Sequence, residues 1–320
     1  MARILTIGAA LQDIYLIDHD DLTPTNIGSE AILGKILVGS KIEIDKIAYE
    51  VGGSGLNAAV SFARHGHETI LMNNIGKDMA GEAVLRTLDC ENIDSSYINY
   101  PPRVQTGTSV ILLDSKSGER TCLTVPGSSK IFDTFDVYDI DLIKPDWVYV
   151  STLFGDFQTL QKVFDRAKKS GAKIMFNPGE DELKEPKKLI NLFKYIDVII
   201  INKKEAAKIV PGTILSELIS HLNNYIETVI ITDASMGGIA SNRQETYRFG
   251  IYEDVKVKDT TGAGDAFGAG FLAHFASGKS FRNSLVFASA NSSSVISKVG
   301  GNSGILTGNE QFHPMPIQKI

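Results

Sequence analysis

Little in this 320-residue sequence could staple a fold covalently or through a metal. Its two cysteines, Cys90 and Cys122, stand apart, with no C-x-x-C pair and no Cys/His cluster at ligand spacing. That excludes a disulfide framework and a zinc module, and it points to a reducing cytosol. A chain of this length needs neither, because it can bury roughly 75% of the surface its unfolded form exposes. Positive charge is also short: 32 Lys and Arg against 38 Asp and Glu leave a formal charge of −6. The lysine pairs Lys168-Lys169, Lys187-Lys188 and Lys203-Lys204 read as solvated helix surface, so no nucleic-acid partner is expected. Long apolar runs are missing as well. Stretches such as Val198 to Ile201 fall far short of the ~20 residues of a membrane span, so no membrane partner is expected either. The opening, Met1 to Leu11, carries one basic residue and a short apolar stretch. Gly8 and Asp13 interrupt it and no A-x-A site follows, so it reads as a first buried strand, Ile4 to Ile7, of a cytoplasmic protein. With no internal repeat or low-complexity linker, one domain over residues 1–320 is expected.

What is present is an alternation. Strand-like runs at Ile4 to Ile7, Thr69 to Asn73, Trp147 to Val150, Lys173 to Phe176, Val198 to Ile201 and Thr228 to Ile231 are separated by segments whose apolar residues recur at three and four. Those segments are Leu56 to His65, Ala80 to Leu88, Phe157 to Lys169, Leu183 to Phe193 and Leu215 to Tyr225. The pattern predicts an α/β fold with a doubly wound, mostly parallel sheet covered by helices on both faces. Two stretches break it. Ile32 to Tyr49 alternates with period two, and Thr106 to Val125 reads as a hairpin turning at Asp114 to Gly118. Neither leads at once into a helix, so they predict a small separate β-sheet, inserted at about residues 14–49 and 100–126 and placed to act as a lid. The tail from Gly304 to Ile320 reads as irregular.

The stretch richest in chemistry is Asp259-Thr260-Thr261-Gly262-Ala263-Gly264-Asp265. Phe267, Phe271, Leu272 and Phe275 follow at helical spacing, which puts the glycines in the turn that opens a helix. Unpaired amides and the positive end of the helix dipole make such a turn an anion cradle. Asp265, in the first helical turn, is placed to take a proton from a hydroxyl attacking a bound phosphate; a helix-capping acid is the plainer role. Neither a dinucleotide fingerprint nor a Walker A loop fits, because Phe267 and Ala273 stand where the required glycines would be. Nearer the front, Gly52-Gly53-Ser54-Gly55-Leu56-Asn57 precedes a helix from Ala58 to Arg64, and Asn57 offers donors and an acceptor that suit vicinal hydroxyls. Asp13, read as lying just after the first strand, suits hydroxyls at the carboxyl edge of the sheet. Asn202 and Glu205, three apart after a strand, could orient magnesium-bound water near phosphates, or form a capping box.

In this order along one α/β chain, these features resemble the ribokinase-like, or PfkB, family of sugar and nucleoside kinases. The likeness spans Ile4 to about Gly301. It includes Gly76-Lys77-Asp78-x-x-Gly81, the hairpin ending in Pro126-Gly127-Ser128, and Ala288-x-Ala290-Asn291. The resemblance implies ATP and Mg²⁺ as cofactors, with K⁺ as a third, and a small-molecule sugar or nucleoside as substrate. It implies Asp265 as general base and Gly262, Ala263 and Gly264 as the anion hole. Asp13, Gly53, Ser54 and Asn57 would bind the acceptor. Asn202, Glu205, Thr232, Gly237 and Asn291 would serve the nucleotide side, Glu205 through metal-bound water, and Asp259 with Thr261 would serve a monovalent cation. Two positions depart from the family pattern. Ala234 replaces a customary glycine on the adenine side, and Leu11 stands where ribose kinases often have Asn. Lys41 and Arg103 are candidate partners for a phosphosugar, and Tyr15, Phe154 and Phe157 are candidate walls for a nucleobase. A regulator that binds nucleotide or sugar without turnover is the alternative, and a homodimer through an exposed lid edge is a further expectation.

Overall fold

Strands buried on both faces need cover on both faces, and helices provide it. The computed structural model describes residues 1–17, 25–26, 32–33, 39, 41–114, 118, 120–132, 136–308, 310 and 312–320. Among these residues one sheet has ten strands. From one edge they run Ile98–Asn99, Glu68–Asn74, Arg3–Ile7, Trp147–Val150, Lys173–Phe176, Val198–Asn202, Thr228–Thr232, Gly238–Ser241, Thr246–Phe249 and Ile317–Lys319. The first seven are parallel and the last three antiparallel. The period-two pleat sends neighbouring side chains to opposite layers. Leu5 and Ile7 join the layer of Leu160, Phe164 and Leu189, whereas Ile4 joins that of Phe62, Phe271 and Leu285. All six predicted strands are present, and the doubly wound sheet is as expected.

Three local expectations needed correction. The helix expected from Leu183 to Phe193 is divided into Glu180–Leu183 and Pro186–Leu192. Pro186 has no N–H to continue the first helix, but it suits the first turn of the second. The tail is not irregular to its end, because Ile317–Lys319 pairs with Thr246–Phe249 at the sheet edge. The front helix starts at Ser54 rather than Ala58, so Ser54 and Asn57 lie within its first turn.

A second sheet, ordered Lys46–Gly52, Leu11–Ile17, Gly107–Leu113, Arg120–Val125, stands apart from the first. The hairpin strands match the sequence reading. The strand expected within Ile32 to Tyr49 instead starts at Lys46 and runs to Gly52, and Ile32–Leu33 forms a two-residue pairing with Thr25–Asn26. Most of 18–40 and the turn at 115–117, both inside the expected lid, lie outside the described residues. The fourth strand, Leu11–Ile17, was not expected there. It carries Asp13 into the small sheet, away from the edge of the large one. Its side chains alternate buried and partly exposed. Tyr15 and Ile17 pack with Ile111 and Leu113 on the inner face, while Ile47, Tyr49, Leu123 and Val125 are exposed on the outer face.

Candidate active site

The helix Ala263–Ala276 dictates the centre of the site. Ala266 to Ala273 are all buried, so the helix is anchored by packing along its length and its first turn is held in place. Gly262 precedes it in the left-handed conformation, φ 74°, and no side chain caps the turn. A Cβ on Gly262 would lie 2.6 Å from the Gly301 backbone, so only glycine fits. A Cβ on Gly264 would meet nothing within 4 Å, which means the turn opens onto free space. Upstream, the buried Asp259 accepts from the Thr261 N–H at 2.8 Å and hydroxyl at 2.6 Å, and from the Gly300 N–H at 3.0 Å. That carboxylate pins the approach to the glycine turn against the 300 loop.

The free space is a cavity of about 290 Å³ at the carboxyl ends of the parallel strands, where open α/β sheets place ligands. Gly262, Ala263, Gly264 and Asp265 line it. Asn202, Glu205 and Thr232, at or just after strand ends, line it too, as do Ser54 and Ser151, joined by a 2.8 Å hydroxyl bond. Asp265 accepts from the Asn57 amide at 3.1 Å. Burial pushes its carboxyl above the ordinary range, while the Asn57 bond and the charge of Arg120 act the other way.

Asn202 and Glu205 form the capping box as well as lining the cavity. The Asn202 side chain accepts from the Glu205 N–H at 3.0 Å, and the Glu205 carboxylate accepts from the Asn202 N–H at 2.8 Å. Burial raises the Glu205 carboxyl, against the Asn202 bonds and nearby Lys208.

In the small sheet, Asp13 is 4% exposed. Burial lifts its carboxyl to about 6; nearby Asp259 and Glu50 add to the rise, and Ser109 and Arg120 oppose it. Asp13 and Asn57 converge on Gly52, where a Cβ would stand 2.3 Å from Asp13 Oδ2 and 3.9 Å from Asn57 Oδ1. Gly53, at φ 100°, lets the chain pass the Ala9 carbonyl, which a Cβ would approach to 2.5 Å. Asp13, Gly53 and Asn57 thus gather beside the cavity rather than in its lining.

Two expected nucleotide-side residues sit elsewhere. Asn291 is fully buried and its amide is spent on packing: it donates to the Ala266 carbonyl at 2.8 Å and the Ser61 hydroxyl at 3.3 Å, and accepts from the Leu306 N–H at 2.9 Å. Gly237, at φ 76°, closes the turn into the strand Gly238–Ser241 and is not in the lining. The departure at Ala234 has a backbone counterpart, since that residue is held at φ 47°, a conformation that favours glycine. Of the candidates for a charged or aromatic acceptor, Lys41 and Arg103 are exposed outside the lining. Tyr15 is sealed in the lid core, and Phe157 packs on the main core.

The sequence reading missed Arg120. It comes from the edge strand of the small sheet, lines the cavity and donates to the Thr260 hydroxyl. Its signal was available: with Thr124 it occupies the inward-facing alternate positions of the hairpin. Also missed were Thr152, Asn177 and Gly179, which follow buried strands, and the buried Glu182 that ties their loops together. Glu182 accepts from the Thr152 hydroxyl at 2.8 Å and from the Leu153, Gly155 and Gly179 N–H groups at 2.9 to 3.0 Å.

Comparison with known proteins gives the family and the fold. The model of the pfkB family carbohydrate kinases matches residues 1–307. A ribokinase of Haemophilus influenzae is 28% identical over 286 residues, covering 87% of this chain and 89% of its own. Among solved structures, adenosine kinase from Sinorhizobium meliloti superposes with a TM-score of 0.78 at 19% identity, over 94% of this chain and 95% of the other. Arabidopsis thaliana ribokinase, solved with ribose and ATP, superposes at 0.76 with 22% identity, over 95% and 96%. The last two likenesses concern the fold.

Proposed function

The chain belongs to the pfkB family of carbohydrate kinases, and from that premise we propose that it transfers the γ-phosphoryl group of ATP to a hydroxymethyl group of a sugar or nucleoside. The observation that carries this reading is the uncapped helix turn at Gly262 to Gly264, open on the cavity side, with the Asp265 carboxylate directly after it. Backbone N–H groups there suit the charge on a transferring phosphoryl group, and Arg120 brings a guanidinium to the same space from the lid. Asp265, its carboxylate oriented by Asn57, takes the proton of the attacking hydroxyl. In-line transfer asks mainly for positioning and charge neutralisation, which these groups offer.

The remaining residues fit the implied cofactors. Asn202 and Glu205 line the same cavity as the glycine turn, and would hold Mg²⁺ through its water shell. Mg²⁺ supplies charge neutralisation on the phosphates when bound. The buried Asp259 has no ion-pair partner among the described residues, and with Thr261 it would border a K⁺ site. Asp13, Gly53, Ser54 and Asn57 would hold the acceptor under the lid as one domain with the main sheet. The exposed strand Arg120–Val125 is the edge by which two copies would pair. A regulator without turnover would have no use for an oriented carboxylate beside the anion turn.

The test is Asp265→Asn. The amide keeps the shape and loses the base, so turnover should fall by ~10²-fold or more, with ATP affinity, measured by calorimetry, within about threefold of the parent value. Undiminished turnover would remove Asp265 from its role.

A further inference from the structure

The inward face of the lid carries a second carboxylate that the mechanism above does not use. Glu50 is the direct cross-strand partner of Asp13, and side chains opposite one another in paired strands share a face. Glu50 is partly buried between its strand and the 300 loop: the Ser303 hydroxyl donates to it at 3.3 Å, and a Cβ on Gly300 would stand 3.2 Å from its Cγ. The same loop touches the acceptor side, where a Cβ on Gly301 would stand 2.7 Å from Asn57 Nδ2. Glu50 and Asp13 therefore share one sheet face beside Gly52, which Asn57 also approaches, and the Asn57 amide donates onward to Asp265 at 3.1 Å. Arg120 lies across the same sheet face, paired with Leu113, and its guanidinium is turned to Thr260 on the phosphate side.

Resting on the kinase reading, we propose that Glu50, beside Asp13, is a specificity-determining residue that restricts the acceptor to uncharged polyhydroxy compounds and shuts out phosphorylated and carboxylated ones. Paired carboxylates accept hydrogen bonds from several hydroxyls at once and have no donor for an anion. An acceptor phosphate held under the lid would meet two negative charges at short range in a partly desolvated space, where like-charge repulsion is strongest. Uncharged sugars and nucleosides meet no such penalty.

The experiment is a coupled ADP-release assay with hydroxymethyl acceptors in matched pairs, such as fructose with fructose 6-phosphate and fructose 1-phosphate, on the parent protein and Glu50→Gln. The parent should favour the uncharged member by on the order of 100-fold in kcat/KM, and Glu50→Gln should narrow that ratio by about tenfold, from the loss of one of two repelling charges. Glutamine keeps the Ser303 bond and removes a charge that burial already disfavours, so the fold should tolerate it. An equal or reversed preference in the parent, or an unchanged ratio in the variant, would overturn the proposal. Binding of the same pairs is also followed by calorimetry. Absence of turnover with every acceptor would count against the kinase reading alone, whereas equal binding of charged and uncharged members would sink the specificity proposal by itself.

Discussion

Asp13 illustrates how a buried carboxylate works against the resting fold. Its carboxyl is lifted to about 6, chiefly by burial, against an ordinary value near ~3.9 in the unfolded chain. Stability from such a group is fully present below the unfolded value and is lost as pH rises through the folded one. Asp13→Asn removes that loss. Its melting temperature without ligand should exceed the parent's at pH 8 by a few degrees, and the gain should fade as pH falls towards 4, where the parent carboxyl is increasingly protonated. Acceptor KM should rise in the same variant. Calorimetric scans at the two pH values check this; a variant less stable at pH 8 would show that the Ser109 bond to the ionised carboxylate outweighs its burial. The position of Gly262 and Asp265 at a helix start was legible in the sequence because a glycine turn entering an apolar helix leaves few geometries open. Asn291 was not, because a buried asparagine reads the same from sequence whether it meets a ligand or a carbonyl. The Ala234 departure was visible as a residue type, but only the structure shows that it sits at φ 47°.

The turn from Asn202 to Glu205 does two jobs at once. The capping box closes two backbone donors of the helix Lys203–Ile209, and the same two side chains face the cavity. The element is short, so the cap also fixes where the Glu205 carboxylate sits. Glu205→Gln separates the roles, because glutamine can still accept from the Asn202 N–H. Its melting temperature should stay within about 1 °C of the parent's, an effect of ~0.5 kcal/mol or less for a domain of this size, while the magnesium concentration for half-maximal rate rises several-fold. A lower melting temperature with an unchanged magnesium requirement would leave only the cap. Elements buried on both faces were legible as apolar runs bounded by polar residues. The strand Leu11–Ile17 was less so: the chain leaves the first strand through Gly8-Ala9-Ala10 and changes sheets, and local periodicity carries no information about which sheet a strand joins. That one ambiguity put Asp13 at the edge of the large sheet, when it lies within a strand of the small one.

At the scale of the molecule, the two sheets divide the chemistry. Asn202 and Thr232 at strand ends of the large sheet, with Glu205 and the glycine turn, line the cavity together with Arg120 of the small sheet, while Asp13 and Glu50 of the small sheet lie beside it. Arg120 reaches across to Thr260, so the lid's position bears on the phosphate side as well as the acceptor side. A ligand moves such an equilibrium only if it binds one state better than the other. On the proposed reading, ATP would lie in the cavity of the large sheet in either state, whereas an acceptor held by Asp13 and Asn57 would contact both sheets and so favour closure. Closure also keeps water from competing for the γ-phosphate. Hydrogen exchange in Lys46–Gly52 and in 106–125 should therefore slow at least several-fold when an active acceptor is added, and much less with ATP alone. ATP hydrolysis without acceptor should be at least ~10²-fold slower than phosphotransfer with it. If exchange in both segments stays the same at a saturating concentration of an acceptor proven by turnover, the small sheet is a fixed wall of the site, and its exposed Arg120–Val125 strand would then serve pairing between copies instead of closure.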